Sequence, residues 1–264
     1  RNEAATGDIV LDDANDVNTV AIQNTAVGGV VAFENVDDFI IGTVTAQTLD
    51  QANFAETSGI HTSNGDVVVN SGGTLDINQQ VNSGTADTRI MANGNVQQTG
   101  DGTFVADELA VLQLSPGANV LLDDNNFINT IAVSNVGGGK VAINSAGDLI
   151  VGTVAPTTIG NIAVGVVSGV STTNADVFIY VQATHSLTLN SAINSGTGYT
   201  YLQAGNDITQ SAAGTITAAE LGIYQFGSSG DIVLDDGNDV DVLATSNAAD
   251  SGQTVYRDID DLTI

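Results

Sequence analysis

Paired aspartates are the residues best placed to do chemistry in this chain of 264 residues. They fall at Asp12-Asp13-Asp16, Asp37-Asp38, Asp123-Asp124, Asp235-Asp236-Asp239 and Asp258-Asp260-Asp261. Two neighbouring carboxylates can divide acid and base roles, as in glycoside hydrolysis. Several on one loop can hold calcium, a hard cation that takes oxygen ligands. Catalysis is disfavoured because the pairs recur with a sequence repeat, whereas an active site is one asymmetric constellation. Neighbouring side chains of a strand also point to opposite faces. Calcium is the better functional candidate, with Asp12, Asp13, Asp16, Asp235, Asp236 and Asp239 as its ligands. Against it, the chain has neither a Gly-Gly-x-Gly-x-Asp run nor an EF-hand loop. Turn chemistry on a solvated acidic face ranks above both. No other cofactor is implied.

The remaining reactive residue types are scarce. There is no Cys, so disulfides, thiolate metal sites and thiol nucleophiles are all excluded. His61 and His185 are not equivalent in the repeat and have no partner at ligand spacing, which leaves them as surface or turn residues. The formal net charge is −27, and the four basic residues, Arg1, Arg89, Lys140 and Arg257, are scattered. A nucleic-acid partner needs clustered Lys and Arg, so that class is set aside. No apolar run of about 18 residues is present, so membrane insertion is not expected.

The elements that carry the aspartates are repeated. Gly7-Asp8-Ile9-Val10-Leu11-Asp12-Asp13 returns as Ala118-Asn119-Val120-Leu121-Leu122-Asp123-Asp124 and as Gly230-Asp231-Ile232-Val233-Leu234-Asp235-Asp236. Asp12, Asp123 and Asp235 are 111 and 112 positions apart. The repeat divides the chain into a polar lead (1–6), unit one (7–118), unit two (119–230) and the start of a third (231–264). The chain stops inside an apolar run, which reads as an excerpt of a longer protein.

Helix periodicity is nearly absent; the best candidate is Ala218-Ala219-Glu220-Leu221. Short β runs are dense, and several alternate with period two, as in Leu75-Asp76-Ile77 and Leu187-Thr188-Leu189. Gly-Gly, Asn-Gly and Asn-Ser-Gly punctuate them, suiting sharp corners. This predicts an all-β chain folded as a parallel β-helix, a β-solenoid with coils of about 18–20 residues. Six coils would fill each unit, about 14 would fill the chain, and equivalent aspartates would lie about 29 Å apart. The alternative is a row of Ig-like β-sandwiches. Short strands and the lack of Trp count against it.

Three stretches also resemble a known family. Asn15-Asp16-Val17-Asn18-Thr19-Val20-Ala21, Gly28-Gly29-Val30-Val31-Ala32-Phe33 and Phe39-Ile40-Ile41-Gly42-Thr43-Val44 are similar to the repeat region of filamentous-haemagglutinin-like bacterial surface proteins. The segment from Ala218 through Leu234 is similar to another part of that unit. The resemblance implies a right-handed parallel β-helix in a large exported adhesin or filament, located outside the cell or on the bacterial surface. It supplies no catalytic or binding residue. The expected function is therefore a non-catalytic structural shaft. Its partners would be neighbouring repeats of the same protein and a host or cell-surface glycan or protein. A β-helical polysaccharide-degrading enzyme and a self-assembling filament subunit are the alternatives.

Overall fold

Each short β run pairs in parallel with the run one coil earlier and the run one coil later. Val31, Val67, Thr88, Leu109 and Ile131 form one such column. The computed structural model, which describes residues 1–50 and 52–264, is a β-solenoid of about 11 turns. No helix is present among the described residues, and Ala218–Leu221 lies within the strand Ile216–Gln225. The sandwich alternative is overturned, because 24 strands form one continuous, parallel-paired sheet.

The coil is flattened and has two unlike sides. In unit one, one side is a five-residue strand, such as Val67–Ser71 or Thr88–Ala92. The other side is a three-residue strand and a two-residue strand joined by a bend, such as Leu75–Ile77 with Val81–Asn82. Apolar residues alternate inward along both. Val67, Val69, Leu75, Ile77, Val81, Ile90 and Leu109 are fully buried in one core that runs the length of the molecule. Each such side chain contributes about 1.5–3 kcal/mol before conformational entropy is charged against it.

Ordinary coils take more residues than expected: Val67, Thr88 and Leu109 follow one another at spacings of 21. Val31 to Val67, and Val141 to Val177, each span 36. The excess in those coils is an antiparallel hairpin that leaves the coil after the three-residue strand. The first occupies 43–58 and the second 153–168. The longer ordinary coils and the hairpins together account for the fewer turns.

The sides exchange once per unit. The five-residue strand Val141–Ser145 stacks on Val120, Leu121, Leu122 and Asn126, which belong to the bent side of the preceding coil. Leu149–Val151 and Val170–Thr172 in turn share the five-residue strand 131–135 beneath them. One unit therefore makes roughly four and a half turns rather than six. Equivalent residues of successive units face opposite ways. Phe33 and Ile143 are equivalent and both buried, but they enter the core from opposite sides.

The exchange requires a bulge, and the aspartate motif makes it. Register is lost between Leu11 and Asn15, between Leu122 and Asn126, and between Leu234 and Asn238. The asparagine closing each bulge points inward. Asn126, with no exposed surface, donates Nδ2 to the carbonyls of Leu122, Asp124 and Asn144 at 2.8–3.1 Å. Its Oδ1 accepts from Gln98 Nε2 and from the Phe104 backbone N–H. Asn238 repeats this with Leu234, Asp236, Arg257 and Ile216. Replacing Asn126 by Ala leaves several buried backbone groups unpaired and should cost about 3 kcal/mol. Asp123→Asn, at an exposed position, should cost under about 0.5 kcal/mol. Urea unfolding followed by circular dichroism measures both; equal losses would show that the aspartate, not the asparagine, holds the bulge.

Candidate functional site

The carboxylates of the bulges do not meet. Asp12 and Asp235 lie on one side about nine turns apart, or about 43 Å, while Asp123 lies on the opposite side. Asp13, Asp16, Asp235 and Asp239 are exposed, and Asp236 is half-buried beside the Asn238 contact. No three acidic or imidazole groups converge on a metal-sized space among the described residues. Asp124 has its carboxyl raised above the ordinary range, first by burial and then by Asp123 and Asp101.

Other acidic side chains act along the coil corners. Asp8 accepts the Val30 backbone N–H one coil later, and Asp66 accepts that of Asp87. Asp148 serves Ser186, Asp176 serves Tyr199, Asp207 serves Asp231 and Asp231 serves Gln253. Asn95 and Asn119 do the same for Asn119 and Lys140. Each acceptor immediately precedes a strand, where the corner would otherwise strand an amide. At these six aspartates the negative charge is structural.

A second polar constellation, the one that carries a basic residue, is built around Arg89. Its side chain is almost wholly buried, 3% exposed, although it points out of the coil. The second hairpin covers it. This hairpin runs along the solenoid axis over the five-residue strands of unit one. Ile162 and Val164 pack on Ala32 and Val68, and Val154 and Val167 pack on Ala110 and Ala132. Arg89 Nε donates to the hairpin carbonyl of Ala155 at 3.1 Å, and its terminal nitrogens reach Asp87 at 2.9 Å and Asp66 at 3.4 Å. At the hairpin tip Gly160 adopts a positive φ of 59°, and the Asn161 N–H donates to Asp12 Oδ2. A candidate calcium ligand is thus a docking point for a strand that begins a unit later. The hairpin clasps unit two onto unit one.

The two histidines are separate. His185 Nδ1 lies 3.3 Å from Asp148 at a corner, and His61 has its pKa lowered by partial burial. The face of unit two that corresponds to the clasped face carries aromatics. Phe178, Tyr199 and Tyr201 form a ladder with ring centroids 6.1 and 6.3 Å apart, and Tyr180, Phe226 and Tyr224 form another at 5.9 and 6.0 Å. Gly222 forms the floor of a shallow groove beside Tyr201 and Tyr224. A side chain there would collide with the Tyr199 hydroxyl and the Tyr201 ring.

Fold and clasp together define a β-solenoid repeat protein whose second unit is held onto its first by an axial hairpin. The chain matches no family model, no curated protein and no solved structure in the comparisons made.

Arg89→Ala removes the only side-chain hydrogen bond to Ala155 among the described residues and exposes the seam. Because Asp87 and Asp66 retain some water contact, the expected loss is about 1–2 kcal/mol, less than for a fully buried pair. The measurable sign is selective proteolysis at 155–162 with the coils intact; uniform digestion of the whole chain would contradict a local clasp.

The pH dependence follows from the same region. Asp87 is raised by burial, which outweighs the lowering by Arg89, and Glu108 is raised by burial and by Asp87 and Asp107. A raised carboxyl binds its proton more tightly folded than unfolded. Its contribution to stability is therefore complete below the ordinary value and is lost as pH rises through the raised one. Melting temperature should therefore climb as pH falls from 7 toward the ordinary carboxylate range near about 4. A melting temperature that falls over the whole of that range would reverse the sign.

Proposed function

We propose that this chain is a segment of an extended, non-catalytic shaft, as in the filamentous-haemagglutinin-like surface proteins it resembles. The observation that supports this most is the clasp. A solenoid that served only to hold an active site would need no device joining each repeat to the one before it. Here a hairpin of unit two spans unit one to its first bulge, so that an axial or shearing load is shared by backbone pairing and by the Arg89 seam. The half-turn exchange places the first and second hairpins on opposite sides of the rod. Work on the rod would be done by its length and outer face, with a glycan or protein of a cell surface as the class of partner.

The test is localisation in the source cells. Antibodies raised against the chain should label intact cells or shed filaments, and protease treatment of intact cells should remove the label. Labelling only after permeabilisation would overturn the surface shaft.

A further inference from the structure

We propose that the second hairpin is a strap in two parts, whose distal half, 157–164, lifts off unit one about a joint while its proximal half stays seated.

The joint shows in the hairpin's own ladder. Thr153 and Val154 pair with Ser168 and Val167, and Thr157–Ile159 pair with Ile162–Val164. The two ladders are separate two-stranded sheets. Between them lie Ala155-Pro156 on one arm and Gly165-Val166 on the other. Pro156 has no N–H with which to carry the ladder across the gap. The first hairpin is interrupted at the equivalent place, so the joint belongs to the repeat.

The floor beneath is divided at the same level. Ala32, Val68, Arg89, Ala110 and Ala132 form one outward-facing column of the five-residue strands. Ile162 and Val164 of the distal half pack on Ala32 and Val68, and Val154 and Val167 of the proximal half pack on Ala110 and Ala132. Leu112 borders both apolar clusters. Arg89 stands between them in the column, and its bond to the Ala155 carbonyl falls at the joint.

The two halves are held unequally. The proximal half is rooted in the coils. The Gly169 N–H donates to the Gly152 carbonyl at 2.7 Å, and the hydroxyls of Thr153, Ser168 and Ser191 bond to one another at 2.6–3.3 Å. Its backbone also lies close against Phe104–Gln113 and Val120–Asn135. The distal half rests on its floor through side chains. No backbone-to-backbone hydrogen bond joins it to unit one among the described residues. Its pin is the bond from the Asn161 N–H to Asp12 at the tip. Positions 153–168 hold no charged residue, so the strap brings no ion pair of its own. A segment with so few backbone bonds to its surroundings opens at a lower free energy than coils paired above and below. Closed, the strap ties the coil of Asp12 to that of Gly152. With the distal half lifted, the coils of Asp12, Ala32 and Val68 can flex while the two units stay joined by the proximal half. This rests on the hairpin alone, and surface labelling could fail without affecting it.

Thiol labelling tests the inference. The chain has no Cys, so a single substitution supplies the one thiol. Ala32→Cys and Val68→Cys lie under the distal half, Ala110→Cys and Ala132→Cys under the proximal half, and all four positions are buried. Each variant is treated with an excess of a neutral thiol reagent at one pH and followed by mass spectrometry, with circular dichroism confirming the fold. The thiols at 32 and 68 should react within about threefold of each other, and roughly tenfold or more faster than those at 110 and 132. Adding Asp12→Ala, which frees the tip, should speed the thiol at 68 several-fold and leave that at 132 unchanged. Val164→Cys and Val167→Cys, buried in the distal and proximal halves of the hairpin itself, replace a floor variant that fails to fold. A rate that falls evenly from 32 to 132 would mean fraying from the tip without a joint, and equal rates at all four would mean that the hairpin lifts whole. Either result, thiols inert until the coils unfold, or a thiol at 68 indifferent to Asp12→Ala would overturn the proposal.

Discussion

The corners decide whether this chain can be a solenoid at all. Along its flat sides every amide finds a carbonyl one coil away, and the aliphatic core fills itself. At each corner the backbone turns, the ladder is interrupted, and amides lose their backbone partners. The molecule answers with short side chains that imitate backbone. Asp66, Asp176, Asn95 and Asn119 accept from the coil above as a strand begins. Ser83 and Ser195 bridge tight turns through Thr88 and Thr200. Asn126 and Asn238 close the bulges. Lys and Arg could not do this, because they carry no acceptor, and Gln loses more freedom when fixed.

The bulge is also what allows the two sides to exchange. Without an extra loop of backbone between Leu122 and Asn126, a five-residue strand could not sit on a bent pair. The unit would then be a whole number of turns, with every hairpin on the same side. The exchange turns a sequence repeat of about 110 residues into alternating faces. That is why Asp12 meets a hairpin tip while Asp123, its equivalent, faces the other way. A reading that assumed in-phase coils had placed these aspartates in one line.

The strands were legible because their alternation is strong. Val67–Ser71, Leu75–Ile77 and Leu187–Leu189 fall where the apolar period of two predicted them. Parallel stacking was legible from the repeat together with the thin aliphatic composition. Coil length was not, although a signal existed. Asx followed by an apolar strand recurs at Asp66, Asp87, Asp148, Asp176, Asp207 and Asp231, and the ordinary coils among these are 21 to 24 residues apart. The hairpins hid it, since two coils of 36 residues disturb any count made by dividing the repeat evenly. Arg89 could not have been assigned from sequence. Its partner Ala155 is 66 residues away and contributes only a carbonyl, which leaves no mark on residue type.

The two units differ most where they have to be covered. At the clasped face unit one places Asp87 and Arg89, and at the same positions unit two has Tyr199 and Tyr201. These are two solutions to one problem. An ion pair under a hairpin must be matched by a particular carbonyl, because an unmatched buried charge is costly; it therefore accepts one hairpin in one register. Stacked aromatic rings offer a broad apolar surface with a hydroxyl at its edge and tolerate some sliding. A junction inside one polypeptide has its register set by the chain and can use the demanding solution. Unit two instead leaves its aromatic face open, and Gly222 leaves room there for the Tyr199 hydroxyl and the Tyr201 ring.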